Sequence, residues 1–119
     1  MVRQVSLPPI EPGSTWFCDF EPVRGHEQDK DRPALVVSSA LHLQLTGGAL
    51  VSVLPLTSGE RPGWLHRVPV SAGRGWVITE QVRTLTAQRF RRPAPEIALS
   101  DDELAEVRRV LAKMLLLPA

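Results

Sequence analysis

Only one segment of this 119-residue chain reads clearly as a helix, and it is the last. Ser100 and Glu103 stand three apart as a capping box, with Asp101 and Asp102 in the first turn, where the helix dipole favours negative charge. Leu104, Val107, Leu111, Met114 and Leu115 recur at three- and four-residue spacing, Arg108, Arg109 and Lys113 lie towards the far end, and Pro118 stops the run. That apolar stripe is expected to face a core. The ninety-odd residues before it must be organised by something other than helix.

They read as short strands. Pro8, Pro9 and Pro12 argue against helix in residues 1–12, which are expected to be irregular, and Gly13 marks a turn. Thr15 to Phe20 is a β-branched and aromatic run. Pro33 forces Arg32 out of helical geometry, and Ala34-Leu35-Val36-Val37 is apolar enough for a fully buried strand. Gly47-Gly48 turns the chain into Ala49 to Leu54, another buried-type strand. Leu65 to Val70 alternates, Trp76-Val77-Ile78 is a further candidate, and Val82 to Leu85 continues the sheet after a kink. Gln88 to Pro95, rich in Arg and Pro, is expected to be a turn or short 3₁₀ piece. Several strands followed by a terminal helix predict a single α+β domain over residues 1–119, with a small, strongly curved antiparallel sheet or half-barrel.

No apolar run approaches the ~20 residues needed to span a bilayer, and Met1 to Ile10 has no sustained apolar stretch of the kind a signal peptide needs. The expected address is the cytoplasm, with no membrane partner. The single Cys18 falls in the apolar run Trp16-Phe17-Cys18 and is expected to be a small buried hydrophobe. Trp16 and Trp76, both in strand-like runs, are expected in the core. The net charge of +1 conceals an uneven distribution. Residues 61–92 carry seven arginines against one acid, Glu80, whereas residues 1–60 carry seven acids and four bases. Twelve of the fourteen cationic residues are Arg, the better bidentate phosphate ligand. A basic central block suits a polyanionic partner, although coding bias alone also raises Arg over Lys.

Three polar points interrupt the apolar runs. Glu21 to Arg32 is a loop in which eight of twelve residues are Asp, Glu, Lys, Arg or His, long for a connection between two strands. Pro55-Leu56-Thr57-Ser58 places two hydroxyls where a buried strand emerges. Thr79-Glu80-Gln81-Val82-Arg83-Thr84 sets polar residues into the basic block. Singly, these are a solvated connector, turn-satisfying hydroxyls and the outer face of an edge strand.

Their order and content say more. Trp16-Phe17-Cys18-Asp19-Phe20-Glu21-Pro22-Val23-Arg24-Gly25-His26-Glu27-Gln28, then Arg32-Pro33-Ala34-Leu35-Val36-Val37-Ser38, closely resembles the opening signature of the MazF/PemK endoribonucleases. Pro55-Leu56-Thr57-Ser58 is similar to that family's second motif, and Glu80-Gln81-Val82-Arg83-Thr84-Leu85 to its third. The resemblance runs from about Gly13 to Leu117. It implies an SH3-like half-barrel shared with the gyrase poison CcdB, homodimers, and a groove for single-stranded RNA. It also implies cleavage without metal or other cofactor, leaving a 2′,3′-cyclic phosphate and a 5′-hydroxyl. An antitoxin with an acidic, disordered tail would block the groove.

Such a reaction turns the neighbouring 2′-hydroxyl on the phosphate. It needs a base, a cation or donors for the charge gathering on phosphorus, and a proton source for the 5′-oxygen. The resemblance assigns Arg32 as the essential arginine and Thr57 as the hydroxyl donor to the same phosphate. Glu27 is a candidate base. His26 is a candidate for proton transfer or for stacking on or bonding a base. Gln28, Ser58, Gln81 and Arg83 would line the groove. Trp64, in a Gly-rich loop, either stacks on a splayed base or packs the loop on the sheet. The departures are Asp29-Lys30-Asp31 before the arginine, Ser14 in place of an acid, and Gly75-Trp76 in place of a Ser. The alternatives are a CcdB-like poison that binds a protein such as gyrase, and a catalytically inactive homologue.

Overall fold

The computed structural model describes residues 7–20, 31–59, 66–73 and 75–116. Among these residues seven strands and two α-helices follow one another: β1 (Thr15–Cys18), β2 (Arg32–Val36), α1 (Ala40–Leu45), β3 (Leu50–Thr57), β4 (Arg67–Val70), β5 (Gly75–Ile78), β6 (Arg83–Thr86), β7 (Phe90–Pro93) and α2 (Asp101–Met114). The sheet is antiparallel in every pairing, in the order β4-β5-β3-β2-β1-β7, with β6 also paired to β3. This is the predicted α+β arrangement of a small curved sheet with a C-terminal helix. No helix among the described residues is long and apolar enough to cross a membrane.

The bend comes from β3. On one side it pairs with β2 through Val53, Leu54 and Pro55. On the other it pairs with β6 through Leu50 to Val53, then with β5 through Leu56 and Thr57. One eight-residue strand thus changes partners halfway along. Pro55 falls where β6 stops and β5 has yet to begin, so its missing N–H costs the second ladder nothing.

The apolar runs of β2 and β3 are continuous because both faces of the sheet are covered. Ala34 and Val36 join Trp16, Cys18, Phe20, Val51, Val53, Leu85 and Phe90 in one cluster. Leu35, Leu54 and Leu56 join Val68, Val70, Val77, Leu99 and Val107 in the other. Trp16 meets Phe90 edge-on, with ring centroids 5.5 Å apart. Helix α2 covers the second cluster through Val107, with Leu104, Val110 and Leu111 partly buried beside it. Its stripe does not stay buried to the end: Leu115, which caps the helix after Met114, is exposed. Its start is the predicted capping box, with Ser100 Oγ accepting from the Glu103 amide and the Glu103 carboxylate accepting from that of Ser100.

Three expectations need correction. Residues Ala40–Leu45 form a second helix, α1, capped by Ser39 Oγ on the His42 amide. It buries no residue completely, so its sequence carries no strong apolar periodicity. It ends at Gly47 and Gly48, both at positive φ, where the Gly48 amide returns to the Leu43 carbonyl at 2.8 Å. Within Gln88 to Pro95, the 3₁₀ turn Ala87–Arg89 is followed by a true strand, β7, on the edge beside β1. Edge position is what lets Arg91, Arg92 and Pro93 sit in a strand. Trp76 is only half-buried, unlike the wholly buried Trp16, because it faces the shallow space beneath the first turn of α2.

Candidate active site

Arg32 opens β2 and Thr57 closes β3. The observed register pairs Ala34 with Pro55, and continuing it by two residues sets Arg32 opposite Thr57. On its other side Arg32 is paired with Cys18 of β1, and Thr57 with Trp76 of β5. Two residues 25 positions apart in sequence thus come to the same end of adjacent strands. Arg32, Thr57 and Ser58 line one pocket of about 380 Å³ together with Pro33, Leu56, Gly75, Ile78 and Ile97.

The local sequence sets the state of each group. Pro33 holds Arg32 in extended geometry. The Arg32 side chain is exposed and has no hydrogen-bond or ion-pair partner among the described residues. Its guanidinium is thus open to a planar anion. Thr57 Oγ1 accepts from the Gly59 amide at 3.0 Å, so its oxygen is fixed, and its hydrogen goes to no acceptor among the described residues. Gly75 is required beside it: a Cβ there would lie 2.7 Å from the Thr57 carbonyl oxygen. The Gly75-Trp76 departure is therefore a close approach of β5 to the end of β3.

Cys18, across from Arg32, is fully buried. Burial, reinforced by the nearby Asp31 carboxylate and opposed by Arg91, pushes its thiol up to about 12. It remains a neutral apolar filler, as expected, and not a nucleophile.

The third motif divides. Gln81 is exposed in the connection between β5 and β6, its amide bonded to the Ile78 carbonyl. Arg83 pairs with Val53, four residues before Thr57 on β3, or roughly 13 Å along the strand. Its Nη2 donates to the Phe20 carbonyl at 3.1 Å and its guanidinium lies over the Phe20 ring at 5.2 Å. Arg83 is thus partly committed to the residue that precedes the charged loop. Glu80 forms an ion pair with Arg67 at 3.6 Å, tying the β5–β6 turn to β4. Thr79, read as a surface position, is completely buried, and its hydroxyl donates to the His66 carbonyl. His26, Glu27, Gln28 and Trp64 lie outside the described residues.

Sequence reading missed the charged cluster beside Arg32. Asp19 Oδ2 meets Arg91 Nη2 at 3.1 Å and Arg89 Nη1 at 3.3 Å, and Arg91 Nε meets Asp31 Oδ1 at 3.6 Å. The signal was the Arg89–Arg92 run itself, which passes from the 3₁₀ turn into β7, a strand pairing with the one that leads into Asp19.

The structure is thus a small curved antiparallel sheet with a C-terminal helix, which at the ends of two adjacent strands sets an arginine without a partner among the described residues beside a hydroxyl held by a backbone amide. The chain belongs to the PemK-like, MazF-like toxin family of type II toxin–antitoxin systems, which it matches over residues 11–115. It is 30% identical over 109 residues to endoribonuclease MazF9 of Mycobacterium tuberculosis, covering 83% of this chain and 90% of that one. Among solved structures, a MazE–MazF crystal structure from Deinococcus radiodurans matches with a TM-score of 0.71 at 32% identity, covering 92% of this chain and 96% of the other. A MazF crystal structure from the same organism matches with a TM-score of 0.65 at 34% identity, covering 92% and 97%.

Proposed function

We propose that this chain is an endoribonuclease toxin that cuts single-stranded RNA by attack of the 2′-hydroxyl on the adjacent phosphate. The observation that carries the reading is that Arg32 and Thr57 line one pocket, with the guanidinium unpaired among the described residues and the hydroxyl oxygen anchored. Arg32 grips two non-bridging oxygens, and Thr57 donates its hydrogen to the same phosphate. Together they stabilise the extra charge of the pentacoordinate transition state. Glu27 takes the proton of the attacking hydroxyl. His26 either supplies the proton to the leaving 5′-oxygen or contacts a base. No step in this scheme calls on a metal.

Gln28, Ser58, Gln81 and Arg83 line the RNA groove in this reading, and Trp64 stacks on a base. The protein works in the cytoplasm as a homodimer, and a cognate antitoxin with an acidic tail covers the groove. The family's place in toxin–antitoxin systems and the MazE–MazF structure of the relative support that partner.

The test is incubation of purified, antitoxin-free protein with a long single-stranded RNA in EDTA, followed by mapping of the ends. Cyclic-phosphate ends that disappear in Arg32→Ala and Thr57→Ala are expected. Intact RNA from folded protein would overturn the reading and favour a poison that binds a protein target.

A further inference from the structure

Asp31 immediately precedes Arg32, the residue whose guanidinium is proposed to hold phosphate. A carboxylate that turned onto this arginine would compete with any anion for it, and the competition would strengthen when substrate excludes water. Yet Arg32 has no ion-pair partner among the described residues, whereas Asp31 has one. Its Oδ1 lies 3.6 Å from Arg91 Nε, on edge strand β7. Arg91 is itself held in place: Nη2 meets Asp19 at 3.1 Å and Nη1 donates to the Gln88 carbonyl at 3.2 Å. Asp19 also meets Arg89. Among the described residues, Asp19, Asp31, Arg89 and Arg91 thus meet across the ends of β1, β2 and β7.

We propose that Arg91 is a positioning residue for RNA cleavage: by holding Asp31, it keeps the Arg32 guanidinium un-neutralised for the scissile phosphate. The proposal rests on the ribonuclease reading above. Asp31 ends the charged stretch Asp29-Lys30-Asp31, and the Arg91 pairing offsets its charge. Removing Arg91 takes away the guanidinium that Asp31 meets and leaves its carboxylate able to turn elsewhere. The rival role is direct contact: Arg91 is 46% exposed and a guanidinium there could grip RNA itself.

The two roles separate in a double-mutant cycle on the full chain. Cleavage of a single-stranded RNA is measured for wild type, Arg91→Met, Asp31→Asn and the double variant. Binding of the same RNA with 2′-O-methyl sugars is followed across a salt series, and folding of each variant by thermal melting. Arg91→Met is expected to lower kcat/KM about tenfold. Asp31→Asn alone stays within about twofold of wild type, and the double variant recovers to within about threefold, because the unheld carboxylate is gone. The salt slope of binding stays unchanged in the double variant, and Arg91→Lys keeps most of the activity. A double variant as impaired as Arg91→Met, or one whose salt slope falls by about 0.7, overturns the proposal in favour of a phosphate contact. An Arg91→Met chain as active as wild type overturns it as well, while leaving the ribonuclease reading intact. Wild-type protein that neither cleaves nor binds RNA overturns both.

Discussion

Thr57 holds its own side chain still through Gly59: the amide two residues on donates to Oγ1, leaving the hydroxyl hydrogen free to point at an anion. Serine can reproduce this arrangement and valine cannot. Thr57→Ser is therefore expected to cleave RNA within about fivefold of wild type, whereas Thr57→Val loses about 10²–10³ in kcat, the usual cost of one donor to a developing oxyanion. The Gly59 amide is exposed and finds water, so the valine variant should melt within a few degrees of wild type. Single-turnover cleavage alongside a thermal melt decides this, and a Thr57→Val chain with undiminished kcat removes Thr57 from the chemistry.

The Gly75 approach gives a second expectation. An alanine there must displace the Thr57 carbonyl, since 2.7 Å is closer than a Cβ tolerates, and the obstacle is backbone. Gly75→Ala should cost about 1–3 kcal/mol in urea unfolding and also depress kcat, because it moves the strand end that carries the hydroxyl. Gly47→Ala is the control: its φ of +63° makes alanine strained, but nothing lies within 4 Å. It should lose stability with kcat unchanged. Equal effects of both changes on kcat would argue against a local displacement.

These two sites show how much a linear reading reaches. The strand positions and the cap of α2 were legible because each is written in neighbouring residues: branched runs between turns, and Ser100 three before Glu103. Arg32 and Thr57 were legible as motif members, but their proximity was not, since it depends on the antiparallel register of β2 and β3. Helix α1 escaped because a helix that buries no residue completely needs no apolar stripe. Strand β7 escaped because an edge strand tolerates Arg and Pro, the same residues that signal a turn. The Asp31–Arg91 pair joins positions sixty apart through a strand that had not been recognised, so no local pattern could reveal it.

The capping box makes a pH-dependent prediction. Burial of the Glu103 carboxyl would raise its pKa, but the amides and hydroxyls of Ser100 and Ser71 outweigh that and hold it below the usual carboxylate range. A group depressed in the folded state stabilises above its unfolded pKa and loses that contribution as pH falls through the folded value. Glu103→Ala should thus be less stable than wild type at pH 7, by about 1 kcal/mol for the lost cap. The gap should narrow below about pH 4.5 as wild type protonates. Urea midpoints from pH 7 down to pH 3 measure it, and a gap that stays constant would show that the carboxylate charge contributes nothing.

The opposite end of the pH scale reports on Cys18. Its thiol is raised from 9.0 to about 12 by burial, with Asp31 adding to the rise and Arg91 subtracting from it. Below pH 9 the thiol is protonated in folded and unfolded chains alike, and its neutral form is part of the core. Above pH 9 only the unfolded chain ionises, so stability is lost as pH rises, at up to about 1.4 kcal/mol per pH unit until the folded thiol titrates too. Cys18→Ala removes this alkaline slope, although the variant starts less stable because it leaves a gap beside Trp16 and Phe90. Cleavage per folded molecule should be unchanged, since the thiol offers the RNA nothing. Two measurements test the account: urea midpoints of both proteins between pH 8 and pH 10.5, and the rate at which a thiol reagent labels the native chain. Rapid labelling of folded protein at pH 8, or parallel pH profiles for the two chains, would show that Cys18 ionises in the native state and that burial does not control it.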